Sequence, residues 1–237
     1  MLTAKNQSEN KENKVIQGSE QLFKSIDALN DHYMALTRSG HAELLEKKIV
    51  PDIGPFFVTG DGTGKEPVIL VGEAPGKDEV SEGRPFVGAA GKILDDLLVR
   101  SGIRRDGLYI TNTVKYRLAR AGKREGTYAN RPVKRPEIEI CSEWLRAELL
   151  YIKPKLVLTL GNTALQGILR CVKTDVPVSE SIGDIHGRII EVSLNGASLD
   201  FLLIPLYHPA SLIYNRQLKV QYELDLEEVK KCAQSIL

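Results

Sequence analysis

The sequence predicts an α/β fold in which a parallel sheet is covered by helices on both faces. Three observations predict it. Four apolar runs recur, at Val68–Val71, Leu108–Val114, Lys155–Leu160 and Phe201–Leu206, each short and continuous like a fully buried strand. Helical patterns separate the first three runs, the alternation expected of strand–helix–strand units. The first run stops abruptly at Gly72-Glu73-Ala74-Pro75-Gly76, a tight turn with exposed backbone N–H groups.

In chain order, residues 1–18 are dominated by Lys, Asn and Glu and are expected to be a disordered tail. Residues 19–66 form a helical extension and linker. Ser19 is placed to cap a helix carrying Leu22, Ile26, Leu29, Tyr33 and Leu36 at helical spacing, and Gly40 stops it. A shorter helix through Leu45 and a Pro/Gly-rich link from Pro51 to Gly64 follow. The main domain is assigned to residues 67–237. After its first strand, a second turn at Gly83–Gly88 carries an aromatic, Phe86, in a polar neighbourhood, and Leu94, Leu97, Leu98 and Ile103 mark a helix packing back on the sheet. Pro136 suits the first turn of the helix that holds Trp144, Leu145 and Leu149. Ile189–Val192 reads as an extra strand before the last one, and a helix near Val220–Ile236 closes the chain.

Composition excludes several classes of protein. A net charge of +1 over 237 residues leaves no global field that declares a nucleic-acid partner. The three cysteines, Cys141, Cys171 and Cys232, form no CxxC pair, which suits a reducing cytoplasm rather than a secreted disulfide scaffold. No signal peptide is visible in the polar first twenty residues, and no apolar run approaches the roughly 18 residues of a membrane span.

Three strands end in polar groups: the first at Glu73, the second (LYITNTVK) near Asn112, the last (FLLIPLYHPASL) at His208-Pro209-Ala210. In a parallel sheet these ends share one edge, where ligands bind. Each residue alone reads equally as a satisfied turn or structural group; their coincidence beside the Phe86 loop points to one crevice. Lys115, Arg117, Arg120, Lys123, Arg124, Arg131, Lys134 and Arg135 face a single acid, Glu125, in the segment after the second strand. That is either a solvated loop or a contact with phosphates, which would position nucleic acid without reading its sequence.

GEAPGKDE with GRPFVGAAG, then ITNTVKYR, NRP, LTLGNTAL and HPASL resemble the uracil-DNA glycosylase superfamily, nearest its family 4 branch, over Val68 to Leu237. The resemblance implies a three-layer α/β/α sandwich around a four-stranded parallel sheet, and removal of uracil from DNA by hydrolysis of the N-glycosidic bond. It implies that Phe86 stacks on the flipped base and that Asn112 reads uracil N3–H and O4. Glu73 would stabilise the cation-like sugar and orient the water, and His208 would donate to the uracil oxygen. Ala74 and Gly76 would offer N–H groups to the base, and Glu79 matches a family acid near the pocket. Lys115, Arg117, Arg131, Pro209, Ala210 and Leu212 would meet DNA, with Leu212 wedging into the gap left by the flipped base.

The chain departs from that family in its cysteines. Family 4 members usually hold an iron–sulfur cluster on four cysteines, two of them in an N-terminal CxxC. Here no cysteine precedes Val68, Tyr116 stands at the third position and Cys141 alone matches; one thiolate cannot hold a cluster. The loop Leu118–Asn130 is long and lacks histidine, and His186 replaces an arginine before Gly187. The expectation is a cofactor-free, monomeric enzyme, cytoplasmic and nucleoid-associated, acting on single- or double-stranded DNA with no membrane partner. The competing readings are a relative that binds DNA or a nucleobase without cleaving, and a nucleotide hydrolase. The last lacks GKS/T after its Gly-rich turn.

Overall fold

The structure, a computed structural model, describes residues 23–40, 57–215 and 217–236. The expected tail at 1–18 and short helix near Leu45 lie outside these residues. The chain forms helix α1 (Ile26–Gly40), strand β1 (Val68–Gly72), helices α2 (Lys77–Glu82) and α3 (Ala89–Arg100), and strand β2 (Leu108–Asn112). A small ribbon, β3 (Ala119–Ala121) and β4 (Tyr128–Asn130), leads to helix α4 (Arg135–Ile152). Then come β5 (Leu156–Leu160), α5 (Asn162–Cys171), β6 (Val172–Lys173), α6 (Ile182–Ile185), β7 (Ile190–Leu194), β8 (Asp200–Leu206), α7 (Ser211–Tyr214) and α8 (Leu218–Ile236).

The sheet runs β2-β1-β5-β8-β7-β6. Its first four strands are parallel, as the apolar runs require. It is wider than four strands, because β7 and β6 extend it in antiparallel pairing. The strand expected at Ile189–Val192 is β7; β6 has only two residues, too short to leave a period in the sequence. Pro205 is tolerated within β8 because the β7 ladder stops at Leu203, so its missing N–H costs no pairing.

Side chains alternate across this sheet. Ile69, Val71, Tyr109, Val157 and Leu203 face one layer, with α1, α4 and α5. Val68, Leu70, Leu108, Ile110, Leu156, Leu158 and Ile204 face the other, with α3 and α8. All five residues of β1, of β2 and of β5 are buried, which explains why they read as continuous apolar runs.

Three regions differ from expectation. Helix α1 is capped by Ser25, whose Oγ accepts from the Ala28 N–H at 3.1 Å; the proposed cap, Ser19, lies outside the described residues. The helix is no appendage, since Ile26 and Leu29 are buried in the same core as Trp144. Residues 57–61, expected to be linker, run along the outer edge of β2. Asp61 exchanges both backbone hydrogen bonds with Ile110, and Val58 N–H donates to Lys115 O, so this sheet edge is covered. The expected loop Leu118–Asn130 contains the β3–β4 ribbon, whose strands are too short and polar for an alternating pattern.

Candidate active site

Strand order reverses between β1, which is followed by β2 on one side, and β5 on the other. The carboxyl ends of β1 and β5 therefore flank a topological switch point, where open α/β sheets bind ligands. Glu73 leaves β1 there, half-buried. Its Oε2 accepts from Thr163 Oγ1 at 2.8 Å. Thr163 lies in the first turn of α5, immediately after Gly161 ends β5.

Gly161 adopts φ 86°, and a Cβ on it would stand 3.2 Å from the Cβ of His208. Glycine here lets the end of β8 close against β5. His208 Nδ1 accepts from the Ala210 N–H at 3.2 Å. That bond leaves the neutral ring's proton on Nε2, free to donate. Burial pulls the imidazole below the ordinary histidine value, outweighing the Glu73 and Glu79 carboxylates, which act in the opposite direction.

Phe86 lies 6.1 Å from His208, ring to ring, with the planes tilted by 31°. The Phe86 backbone holds φ 54°, a left-handed conformation unusual for an aromatic. The chain nearby is shaped to match, since a Cβ on Gly91 would collide with the Phe86 carbonyl. Asn112, 3% exposed, meets Phe86 above Gly72. A Cβ on Gly72 would collide with both Asn112 Oδ1 and the edge of the Phe86 ring. Glycine at that position leaves room for the amide and the aromatic to share one wall.

The acid Glu79, expected near the pocket, is held by backbone N–H groups. Its Oε2 accepts from Gly76 N–H at 3.0 Å and its Oε1 from Gly88 N–H at 3.3 Å. It ties the two glycine turns together, and the Gly76 N–H is occupied by it. Ala74 packs against Val114, Tyr116, Leu118 and Cys141.

The basic residues divide sharply. Lys115 was expected to reach phosphate, but its side chain is 0% exposed. Its Nζ donates to Glu148 Oε2 at 2.7 Å and to the Asn112 carbonyl at 2.5 Å. Arg131 was also expected on DNA, yet it pairs with Glu137, with side-chain exposures of 10% and 8%. Both corrections have one cause: a charge run looks the same in sequence whether its members face water or a buried carboxylate. Arg117 is half-buried and braces the ribbon through Asn130 Oδ1 and Tyr128 O. Arg120, Lys123 and Arg124 are exposed on the ribbon and its turn. Pro209 is buried and Ala210 half-exposed. Leu212 packs beside Leu97, Tyr222 and Leu226.

Two more residues escaped the sequence reading. Thr163 belongs to LTLGNTAL, and switch-point logic applied to β5 would have found it. Glu148 carries no signal beyond being an acid on the apolar face of α4. His186 bridges to Asp225 through Nδ1 at 2.9 Å and lies 4.6 Å from the Tyr207 ring, joining α6 to α8.

The cysteines do not fit a cluster. Cys141 is buried beside Tyr116, Sγ to hydroxyl 3.9 Å, and burial pushes its thiol up to about 11. Cys171 packs in the α4–α5 layer, where burial pushes it up to about 12, and Cys232 lies on α8 against the opposite face of the sheet. Among the described residues, no three histidines, cysteines or acids are grouped to hold a metal.

Known proteins match the same span. The family model of the uracil DNA glycosylase superfamily matches residues 59–232. A type-4 uracil-DNA glycosylase of Archaeoglobus fulgidus is 36% identical over 173 residues, 73% of this chain and 80% of that protein. One from Saccharolobus solfataricus is 34% identical over 75% of this chain and 76% of its own length. Another, from Thermotoga maritima, is 35% identical over 73% of this chain and 80% of its own length. With a fold, a crevice and a family match that agree, the chain belongs to the uracil DNA glycosylase superfamily.

Proposed function

We propose that this protein is a uracil-DNA glycosylase that hydrolyses the N-glycosidic bond of deoxyuridine flipped out of DNA. The observation that carries this reading is the meeting of Asn112 Oδ1, Phe86 and His208 around Gly72 and Gly161, beside a Glu73 held by Thr163. Flipping costs a few kcal/mol and is easiest for mispaired uracil. Phe86 receives the ring face. Asn112 accepts from N3–H and donates to O4, a pattern that cytosine inverts. As the C1′–N1 bond breaks, its electron pair leaves with uracil, and the sugar becomes cation-like. His208 Nε2–H donates to the uracil oxygen where charge develops, a contribution typically worth ~3 kcal/mol. Glu73 faces the opposite charge, orients the water that attacks C1′ and accepts its proton. Uracil leaves as the anion and is protonated afterwards.

The enzyme works as a monomer; it works without an iron–sulfur cluster, on the ligand count given above. The DNA is single- or double-stranded, contacted by the exposed ribbon and by the segment from Pro209 to Leu212. The test is incubation with a uracil-containing oligonucleotide followed by alkaline cleavage of abasic sites. Cleavage at the uracil alone is expected. Binding without cleavage would assign the chain to the non-catalytic reading.

A further inference from the structure

We propose that Lys115, paired with Glu148, is a positioning residue for base recognition: it holds the peptide of Asn112 in register. The inference rests on the reading of Asn112 as the residue that contacts uracil. The β1–β2 register ends at Gly72 opposite Asn112, so the base reader sits on the last rung of its strand. Three residues on, Lys115 turns back and places Nζ 2.5 Å from the Asn112 carbonyl. Its charge is met by Glu148, 2.7 Å away, and lies 5.7 Å from the Trp144 ring centroid. Glu148 is itself fixed from β2, since Tyr109 Oη donates to Oε1 at 3.0 Å and Thr111 Oγ1 at 3.2 Å. Tyr109 is joined to Asn30 of α1 at 3.5 Å, and Asn30 Oδ1 accepts from Trp144 Nε1 at 2.9 Å. Every member of this network is at most 3% exposed.

Stability does not account for such a pair. Taking two charges out of water costs several kcal/mol per ion, and well-packed apolar replacements are often as stable or more so. What the pair supplies is geometry. It clamps the backbone of the residue whose amide must keep one orientation, since an amide free to turn would accept cytosine as well as uracil. Displacing a recognition group by about 1 Å can cost ~100-fold.

The test is a double-mutant cycle on single-turnover uracil release, with Lys115→Met and Glu148→Gln combined so that no unpaired charge is left buried. The combined variant is expected to keep its circular dichroism and its affinity for uracil-free DNA. Its release of uracil is expected to fall at least ~10-fold. In an Asn112→Ala background the same pair of changes should cost less than about 2-fold, because the group being positioned is gone. A purely structural role predicts the same loss in both backgrounds, and that result would overturn the proposal, as would a wild-type rate in the folded combined variant. Should the combined variant not fold, Tyr109→Phe removes one anchor of Glu148 and no charge, and its loss must likewise vanish with Asn112→Ala. A wild-type chain that releases no uracil would instead remove the proposed function, and this inference with it.

Discussion

In the proposed mechanism His208 is a neutral donor, and its surroundings favour that state. Burial lowers its pKa below the ordinary value of about 6.5. The folded protein therefore binds fewer protons than the unfolded chain just below that value, so stability rises with pH through this window. The contribution is fully present above about 6.5 and is lost as pH falls toward the folded pKa. By proton NMR the His208 ring should titrate with a midpoint below about 6.5; a midpoint at or above it would contradict the burial argument. At Glu73 the expected outcome is a loss of ~100-fold or more in excision for Glu73→Gln, as for His208→Ala, with the fold intact. Thr163→Val should lower the rate by ~10-fold, the scale of one hydrogen bond to a charged group, and Thr163→Ser should restore it. Equal rates in the Val and Ser variants would separate Thr163 from the chemistry. The shared edge of Glu73, Asn112 and His208 was legible in the sequence because each lies at or near the end of an apolar run, and parallel topology sends such ends to one edge. Lys115 was misread because sequence does not show which way a side chain turns.

The strands and main helices were legible because a doubly covered sheet demands continuous apolar runs and its helices demand a repeating apolar face. The β3–β4 ribbon carries neither signal, and its pairing comes only from the folded chain. Its register pairs Ala119 with Asn130, and Arg117 fastens to Asn130 Oδ1 and Tyr128 O. The exposed cations are thereby narrowed from the eight of the charge run to a few, among them Arg120, Lys123 and Arg124. Salt links from these side chains to phosphate would carry affinity and no sequence information. Replacing all three with Gln should weaken binding to oligonucleotides with and without uracil alike. The slope of log affinity against log salt should flatten by about 0.7–0.9 for each phosphate no longer neutralised. An unchanged slope would move the DNA track to another surface.

At the scale of the whole molecule, the question is what joins the amino-terminal region to the crevice in a chain whose three cysteines belong to three separate hydrophobic clusters. Anaerobically purified protein should be colourless and free of iron; stoichiometric iron with visible absorbance would overturn that ligand count. The structure offers aromatic packing instead. Phe57 meets Tyr116 at 5.7 Å and Trp144 at 6.0 Å, and Tyr33 of α1 stacks on Trp144 at 6.1 Å. Ile26 and Leu29 add two apolar side chains, each worth about 1.5–3 kcal/mol when fully buried. The Asn30–Trp144 hydrogen bond adds about 1 kcal/mol. Removing residues 1–40 would forfeit the α1 share of this packing and leave the Trp144 N–H without its partner. A loss of several kcal/mol is a large share of the stability of an ordinary domain. Trp144 is the only tryptophan of the chain, so its fluorescence reports this packing directly. It is 2% exposed in the intact fold, and the truncated protein should emit at longer wavelength, melt several degrees lower and release uracil more slowly. Unchanged emission and melting temperature would mean that α1 does not seal this face, and the network from Asn30 to Lys115 would then begin at Tyr109.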